Sequence, residues 1–392
     1  MRKILLLLRF FFKSKYSFLL PTKKKLIIYD EHSLNAFENL FDPYDFYVLQ
    51  VRQYIIYPQI LIKSIFKYRL KWNIYNYTIE IIRYINPKLI ITTNDNDIFF
   101  WKIKKILNNG IKTIFVQNGY RSYSLDIFEI LDSNKFNKND FSVDYFFTFN
   151  KSIKKKYLEY LNGQGIVLGS FKNNRKLINK VKKNENDLLF ISEFASPKYF
   201  KPPCGHEKYW KPENFYLPII KKFVLENNLN LKILGKKYVR LDLREEEKIF
   251  FEKILGKENW EYVETNHSYE CYEKIDQAKL VIFISSTLGY ESISRGTPTA
   301  ALCAREIIEG QNDLKFAWPH KFLKENYFST NQLDEKKTLK ILKTLNSIKK
   351  EEWIDYTKNL NFFFMHYDKN NSSFFKVLDK LNIKYNSNTL LN

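Results

Sequence analysis

The feature of this sequence that most constrains its fold is a regular alternation of short apolar runs with longer stretches of helical periodicity. Runs of four to six apolar residues are typical of buried strands, and helical stretches between them are typical of βαβ units. The predicted strands are Lys25–Tyr29, Phe46–Val51, Lys88–Ile91, Thr113–Val116, Tyr145–Phe149, Gly165–Leu168, Asp187–Ser192, Leu231–Leu234, Leu280–Ile284 and Pro298–Cys303. The alternation therefore predicts an α/β protein built on parallel sheets.

The alternation breaks once, in the polar and basic stretch Lys172–Asn186, and then restarts. A chain of 392 residues is also longer than one core usually serves. We expect two Rossmann-like, doubly wound parallel-sheet domains that face each other across a cleft. The predicted organisation is a basic aromatic segment (1–24), an N-terminal domain (25–180), a C-terminal domain (181–335) and C-terminal helices (336–392).

The N-terminal segment combines aromatic and aliphatic residues with lysines and arginines, and no acid precedes Asp30. Its longest apolar run, Ile4–Leu8, is far shorter than the ~20 residues that span a bilayer. A basic, aromatic-rich segment can lie on an anionic membrane, with rings in the interface and cations on phosphates. We expect such a membrane contact, and the alternative is a first strand or helix packed on the core.

The charge of the chain favours anionic partners, since its formal net charge is +21 and its isoelectric point is near 9.5. An AT-rich genome also produces this excess of lysine, asparagine, isoleucine and aromatic residues. The three cysteines are scattered without a CxxC pair, which indicates neither a disulfide framework nor a zinc site. We expect a cytoplasmic protein, peripheral on the inner face of the cytoplasmic membrane, and no nucleic-acid partner, because no nucleic-acid-binding motif is present.

Polar residues follow nearly every predicted strand, and ligands of open parallel sheets bind outside the carboxyl ends of the strands. A structural protein would need only turns and caps at these points. The presence of polar residues after so many strands favours a cleft lined by residues of both sheets. The residues at these ends that we single out are Glu31, His32, Asp95, Asp97, Gln117, Asn118, Gly119, Arg121, Glu193, Gly235, Lys236 and the stretch from Ser285 to Glu291.

The stretch "SSTLGYESISRG", from Ser285 to Gly296, carries the most specific chemistry. Ser286 or Thr287 can cap a helix that starts near Leu288, whose amino end presents bare N–H groups and a positive dipole. Gly289 lacks a Cβ, so a ligand can approach the backbone closely. These features suit a phosphate or diphosphate, and Glu291 can accept hydrogen bonds from a ribose diol. The alternative is an ordinary N-cap followed by a helix.

The segment "VIFISSTLGYESISRGTPTA" resembles the donor-binding segment of GT-B glycosyltransferases of bacterial capsule and O-antigen biosynthesis. The stretches "FVQNGYR", "KILGK" and "FAWPHKF" are similar to other segments of such proteins, less specifically. The resemblance implies two Rossmann-like domains, with the acceptor on the N-terminal side (25–180), the donor on the C-terminal side (181–335) and C-terminal helices (336–392) that cross back to the first domain. It also implies transfer of a sugar from a nucleotide-sugar donor to a surface-polysaccharide or lipid-linked glycan acceptor. It implies neither a metal nor a cofactor beyond the nucleotide-sugar co-substrate, and it does not choose the donor nucleotide.

Roles can be assigned to the strand-end residues on that hypothesis. Donor binding falls to Glu193, Gly235, Lys236, Ser285, Ser286, Thr287, Leu288, Gly289 and Glu291, with Lys236 as the cation that balances leaving-group charge. The cleft or acceptor residues are Gln117, Asn118, Gly119 and Arg121. Asp95 and Asp97 are the leading candidates for the catalytic base, followed by Glu31 and His32. Glu193 is a second candidate for the base, and helix capping is the alternative for the two aspartates.

Three other functions stay open from the sequence. A nucleotide-sugar 2-epimerase uses the same two-domain fold, with carboxylates and histidines set around one sugar. A CDP-alcohol phosphotransferase would share the basic membrane surface and use phosphate chemistry. A non-enzymatic basic scaffold that binds membranes or nucleic acid explains the charge, but it leaves the polar strand ends unexplained.

Overall fold

The computed structural model describes residues 10–37, 39–107, 110–123, 126–178, 184–199, 206–236, 240–265, 269–308, 316–320 and 326–386. Two six-stranded sheets dominate it, and a two-stranded pair lies beside the first. Neighbouring strands in both large sheets are parallel throughout. The predicted fold class, two parallel-sheet α/β domains, is confirmed.

The strands are β1 (Lys15–Tyr16), β2 (Leu26–Tyr29), β3 (Phe46–Leu49), β4 (Ile55–Ile56), β5 (Leu89–Thr92), β6 (Lys112–Val116), β7 (Ser142–Thr148), β8 (Asn162–Val167), β9 (Asn184–Ile191), β10 (Asn230–Leu234), β11 (Glu261–Val263), β12 (Ala278–Phe283), β13 (Thr299–Leu302) and β14 (Ser329–Thr330). Every strand predicted from the sequence overlaps one of these. The remainder, β1, β4, β11 and β14, are two or three residues long, too short to show a hydrophobic period.

The α-helices are α1 (Leu34–Phe37), α2 (Pro58–Tyr68), α3 (Ile74–Ile85), α4 (Ile98–Leu107), α5 (Ile127–Ser133), α6 (Lys151–Tyr160), α7 (Phe171–Arg175), α8 (His206–Glu226), α9 (Leu241–Leu255), α10 (Glu270–Gln277), α11 (Thr287–Ser294), α12 (Arg305–Ile308), α13 (Glu335–Ser347), α14 (Lys350–Lys358), α15 (Asn361–Phe364) and α16 (Ser372–Lys380). Most of them connect consecutive parallel strands, as crossovers in such sheets require.

The order of the strands places one switch point in each sheet. The first sheet runs β3-β2-β5-β6-β7-β8, so the chain reverses its direction of growth between β2 and β5. The second runs β11-β10-β9-β12-β13-β14 and reverses between β9 and β12. A reversal leaves a crevice at the carboxyl edge, because the two following loops diverge to opposite faces of the sheet.

The strands are buried on both faces, which explains why they read as continuous apolar runs in the sequence. All four residues of β2 and of β5 are buried, as are the last four of β12. Each fully buried isoleucine or phenylalanine stabilises the fold by about 1.5–3 kcal/mol. The cores therefore fix the strands, and the strands fix where their polar ends lie.

The last helix packs on the first domain. Phe374 of α16 is fully buried and contacts Phe147 of β7 and Phe171 of α7, with ring centroids 5.2 and 5.0 Å away. The side-chain amide of Asn174 donates to Asn371 at 2.9 Å, just before the helix begins. The chain thus passes from the second sheet back to the core under the first sheet.

A buried arginine ties the second domain to the segment that joins the two sheets. Arg295 follows α11, is 4% exposed and donates through Nε to Asp276 at 2.8 Å. Its Nη1 donates to the Asn173 side chain at 2.9 Å and to the Lys176 carbonyl at 3.0 Å. The carboxyl end of α11 is therefore held against the interdomain connection.

Candidate functional site

The switch point of the second sheet is bridged by a carboxylate. Glu193 follows β9 and Ser285 follows β12, on the two sides of the crevice. The Glu193 carboxylate accepts hydrogen bonds from the Ser285 backbone N–H at 2.7 Å and from its hydroxyl at 3.0 Å. Both residues were predicted from their positions after strands, and the structure brings them together.

A cavity of about 250 Å³ lies at this crevice. It is lined by Ile191, Ser192, Glu193, Leu234, Gly235, Lys236, Thr265, Cys271, Ser286 and Leu288. These residues come from the carboxyl ends of β9, β10 and β11 and from the starts of α10 and α11. The cavity therefore combines strand ends and helix starts, as ligand sites of doubly wound sheets do.

Helix α11 begins where the sequence predicts, and Ser286 is its N-cap. The Ser286 hydroxyl accepts from the Leu288 N–H at 3.3 Å, and the Ser286 carbonyl accepts from the Gly289 N–H at 3.0 Å. Ser286 and Leu288 line the cavity, so the positive end of the α11 dipole lies beside it. This arrangement favours an anionic group in the cavity.

Gly289 has a different role from the one predicted. A Cβ built on it would lie 2.0 Å from Cγ of the Phe283 ring, so that side of the backbone is filled by protein. Gly235 is similar, since its Cβ would lie 2.0 Å from the hydroxyl of Tyr262. The expectation that Gly289 opens the backbone to a ligand is therefore wrong, because the missing side chain makes room for an aromatic ring.

Glu291 is also placed differently from the prediction. Its carboxylate accepts from the hydroxyl of Ser170, which lies at the end of the first domain, and is hydrogen-bonded to Tyr272. Burial raises the pKa of Glu291 to about 7, and the hydrogen bonds from Ser170 and Tyr272 oppose that shift. Glu291 is 6% exposed and does not line the cavity, so its predicted contact with a ribose is corrected to a contact between domains.

Lys236 lies at the cavity as predicted, directly after β10. Its Nζ donates to the carbonyls of Glu193 at 3.1 Å and Phe194 at 2.5 Å. Burial lowers the pKa of Lys236, while the nearby Glu193 and Glu247 carboxylates act in the opposite direction. A cation that is partly desolvated beside a helix start is well placed to contact a phosphate.

Arg305 is a site residue that the sequence interpretation missed. It begins α12, just after β13, and it is 5% exposed. Its Nη2 donates to Glu213 at 2.6 Å and lies 3.7 Å from the Glu193 carboxylate, and its guanidinium lies 3.8 Å from the ring centroid of Tyr209. Arg305 lies two residues after the predicted strand Pro298–Cys303, so the sequence does place it at the end of a strand.

The buried guanidinium of Arg305 is only partly satisfied. Its Nε and Nη1 have no hydrogen-bond partner within the described part of the chain. Burial opposes ionisation of Arg305, but Glu213 and Glu193 outweigh this effect and raise its pKa. A buried donor without a partner costs about 1–3 kcal/mol, and a bound anion would recover that cost.

At the carboxyl edge of the first sheet, by contrast, the polar side chains are bonded to one another. Asp95 is 1% exposed, and its Oδ2 accepts from the Tyr157 hydroxyl at 2.5 Å and lies 3.1 Å from Nε of Arg121. Its Oδ1 accepts from the Asn118 N–H at 3.3 Å. Burial raises the pKa of Asp95, and the Arg121 charge opposes that shift.

Asp97 caps helix α4, which was the alternative interpretation of this residue. Its Oδ1 accepts from the Phe99 N–H at 2.8 Å, and its Oδ2 accepts from the Tyr29 hydroxyl at 2.7 Å. Burial raises the pKa of Asp97, and the Tyr29 hydrogen bond opposes the shift. The oxygens of Asp95 and Asp97 are thus already bonded within the domain, which favours the capping alternative for Asp97 and a structural role for Asp95.

Glu31 and His32 lie on the same edge, in the turn after β2. One carboxylate oxygen of Glu31 accepts from the Val51 N–H at 3.1 Å, and His32 is exposed. The neighbouring Asp30 is fully buried and is held by Arg52, whose Nη2 donates at 2.8 Å, and by Asn94 at 3.0 Å. Glu31 and His32 are therefore the predicted base candidates with the fewest internal bonds.

The loop after β6 connects the two edges. The Tyr120 N–H donates to the Thr287 hydroxyl at 3.0 Å, and the Tyr120 and Tyr290 rings stack with centroids 3.7 Å apart. Gln117 accepts from the Phe149 N–H and donates to the Gly119 carbonyl, which shapes this loop. The first domain therefore contacts the amino end of α11, beside the cavity of the second.

A larger cavity, of about 830 Å³, lies away from these residues. Its lining includes Phe41, Arg175, Tyr269 and Tyr385, and it contains none of the residues predicted for the site. We therefore place the candidate site at the smaller cavity, which lies at the switch point of the second sheet and is lined by Glu193, Lys236 and Ser286.

Comparison with protein families gives one match. The family model described as "putative O-antigen biosynthesis protein" matches residues 114–382, more than half of the chain. A search of curated proteins found no match. The family agrees with the resemblance drawn from Ser285–Ala300.

Comparison with solved structures gives distant likenesses, of which the one to a Listeria protein supports the fold. The "putative UDP-N-acetylglucosamine 2-epimerase" of Listeria monocytogenes gives a TM-score of 0.50 at 12% identity, covering 92% of this chain and 96% of that chain. The UDP co-structure of S. aureus MnaA gives 0.49 at 14% identity, covering 93% and 98%. A mutant of S. aureus TarM, in complex with fondaparinux, alpha-GlcNAc-glycerol and UDP, gives 0.45 at 13% identity, covering 78% and 58%. At such identities the likeness concerns the fold alone.

Proposed function

Because the chain belongs to the O-antigen biosynthesis protein family and has a GT-B-like fold, we propose that it is a glycosyltransferase. It moves a sugar from a nucleotide-sugar donor to a surface-polysaccharide or lipid-linked glycan acceptor. The second domain binds the donor, and the first domain presents the acceptor. UDP is the first nucleotide to test, since the name of the Listeria protein includes it.

One observation carries this proposal: a partly buried lysine, a buried arginine and a helix start lie together at the switch point of the second sheet. Lys236 and the N-cap Ser286 line the cavity, and Arg305 lies 3.7 Å from the Glu193 carboxylate that also lines it. The donor phosphates would accept hydrogen bonds from these groups in place of water. Glu193 would then hold the Ser285 loop in position, through its hydrogen bonds to the N–H and hydroxyl of that residue.

The chemistry expected of the site follows from its charges. Cleavage of the bond between sugar and phosphate leaves negative charge on the departing phosphate, and Lys236, Arg305 and the α11 dipole would stabilise it. These cations can supply that stabilisation without a metal ion, so we propose a metal-independent reaction. The acceptor hydroxyl needs a base, and Glu31 or His32 would supply it from the first domain.

The 2-epimerase alternative makes a different demand on the cavity. It needs carboxylates and histidines around one sugar, whereas the described cavity lining contains one carboxylate, Glu193, and no histidine. His267, two residues after Thr265 of that lining, lies outside the described residues. The transferase therefore has the stronger support, and the experiment below separates the two.

The proposal is tested in two steps. A thermal-shift screen against UDP, CMP, CDP and GDP identifies the nucleotide, because a ligand that binds the native state raises its melting temperature. The protein is then incubated with sugars of that nucleotide, with and without a lipid-linked glycan. A transferase releases nucleotide at a rate that depends on the glycan. Conversion of the sugar without glycan would establish the epimerase instead, and no shift with any nucleotide would remove both.

A further inference from the structure

A surface on the first domain, distant from the donor cavity in sequence, is both apolar and basic. It consists of the segment Phe12–Leu20, helix α2 and the turn Arg69–Lys71, and we call it the α2 face. Its exposed apolar side chains are Phe12, Tyr16, Phe18, Leu19, Leu20, Ile62, Ile65, Phe66 and Leu70. Phe66 is 75% exposed and Leu70 is fully exposed, so the protein leaves these side chains in water at a cost.

The two parts of this face are joined in the structure. Strand β1 pairs with β4, the short strand just before α2, and the Gln59 side chain of α2 donates to the Phe18 carbonyl at 2.9 Å. Beneath them, Phe10 packs against Tyr54 and Trp72, with ring centroids 5.2 and 6.2 Å away. The exposed apolar residues therefore belong to one surface supported by a buried aromatic layer.

Helix α2 shows the pattern that an interfacial helix requires, with its apolar stripe outside. Ile60 and Ser64 point into the domain, while Ile62 and Phe66 lie one turn apart on the exposed side. Lys63 and Lys67 each follow one of these two residues along the chain. The helix ends at Tyr68, the backbone turns at Arg69, and the exposed Leu70 lies in the turn that follows. The helix therefore presents an apolar stripe flanked by cations to the outside.

The charge of this face is of one sign. The α2 face contains no aspartate or glutamate and six lysines and arginines, which are Lys13, Lys15, Lys63, Lys67, Arg69 and Lys71. The partner of Lys67 is Glu80 of α3, and the Glu80 side chain is buried under it. A protein partner would need matching acids in a fixed pattern, whereas an anionic lipid surface needs only phosphates at the level of the cations.

We propose that the α2 face docks on an anionic phospholipid bilayer, with Phe66, Leu70 and Phe18 in the interface and the lysines on the phosphates. None of the helices in the described ranges is long and apolar enough to cross a membrane. The contact is thus peripheral, and it extends the predicted N-terminal membrane segment to a second element, distant in sequence.

This face adjoins the carboxyl edge of the first sheet. The ring of Tyr54 contacts Phe10 of the aromatic layer, and three residues before it the Val51 N–H donates to Glu31 at 3.1 Å. A short segment of chain therefore joins the aromatic layer under the α2 face to Glu31. If the glycosyltransferase proposal holds, a lipid-linked acceptor reaches its base by a short path, although membrane docking itself does not depend on that proposal.

The test is co-flotation of the full chain with phosphatidylcholine vesicles, with and without phosphatidylglycerol. We expect binding to the anionic vesicles only. The variant Phe66→Ser/Leu70→Ser should lower binding more than ~10-fold, while Leu241→Ser/Ile249→Ser, the same kind of change at exposed positions of α9, should leave it unchanged. Lys63→Gln/Lys71→Gln should weaken binding roughly twenty-five-fold, since each cation near such a surface contributes about a five-fold factor.

Several outcomes would overturn the proposal. Equal binding by Phe66→Ser/Leu70→Ser and the α9 control, or equal binding to both kinds of vesicle, removes the α2 face as the membrane contact. Sedimentation velocity tests whether a second copy of the chain covers the face instead of a membrane. A wild-type dimer that becomes a monomer in Phe66→Ser/Leu70→Ser would show that a second copy of this chain covers the face. Nucleotide binding, measured in the same samples, reports on the proposed function separately.

Discussion

The carboxyl edges of the two sheets carry similar polar side chains, but the hydrogen bonds of those side chains differ. On the first sheet, Asp95, Arg121 and Tyr157 bond to one another, so the polar groups hold the edge together. On the second, Lys236 contacts carbonyls beside a cavity and Arg305 keeps donors without partners in the described part of the chain. The difference shows that a polar residue after a strand marks an edge, while its bonding shows whether that edge can receive a ligand.

The largest expected effect tests whether the first edge is structural. Replacing Asp95 with alanine removes one of the two carboxylates paired with Arg121, which keeps Asp126, and leaves the Tyr157 hydroxyl and the Asn118 N–H without their acceptor. Each buried donor left unpaired costs about 1–3 kcal/mol, so the two together cost about 2–6 kcal/mol. Urea unfolding of Asp95→Ala should show a loss of that size, while Lys236→Met should lose less than about 1 kcal/mol. Equal losses in both variants would mean that the two edges do not differ in this way.

The contact between the domains gives a prediction about pH. The pKa of Glu291 is about 7 in the folded protein, above the ordinary value of 4.5, so folding favours its protonated form. The stability this provides is complete below pH 4.5 and is lost as the pH rises to 7, by up to about 3 kcal/mol. Glu291→Gln should therefore be more stable than wild type at about pH 8 and similar at about pH 4.5. Parallel stability–pH curves for the two proteins would contradict this assignment.

A smaller effect concerns the packing of α11 beside the cavity. Gly289→Ala places a Cβ against the Phe283 ring, and overpacking of this kind costs about 1–3 kcal/mol. The double variant Gly289→Ala/Phe283→Leu should recover part of that loss in thermal unfolding, because leucine has no ring at that position. If Gly289→Ala instead keeps full stability and loses nucleotide binding, the original interpretation of this glycine is restored.

The sequence allowed the fold to be predicted because the information is local. Runs such as Leu280–Ile284 are short and apolar on both faces, which is typical of a strand covered on both sides. Local patterns also located Ser286 as a cap and Lys236 as a residue at a strand end. The short strands β4 and β14 escaped prediction because two residues cannot establish a period.

The hydrogen bonds within the site could not be predicted from local sequence patterns. Tyr157 lies in α6, far along the chain from Asp95, and nothing in the sequence pairs them before the sheet is assembled. The same holds for Ser170 and Glu291, which meet only when the two domains pack. Arg305 follows a predicted strand, so its position at the sheet edge could have been predicted from the sequence. The Phe283 ring that fills the space at Gly289 could be seen only in the structure.

The central claim is that the second edge holds the donor phosphates and the first edge does not. A single substitution at each edge tests this claim most directly. Calorimetric titration of the nucleotide identified by thermal shift compares wild type with Lys236→Met and with Asp97→Asn. We predict that Lys236→Met lowers affinity roughly ten- to a hundred-fold, about 1.4–2.8 kcal/mol, and that Asp97→Asn leaves it unchanged. Unchanged affinity in Lys236→Met, or an equal loss in Asp97→Asn, would contradict the account.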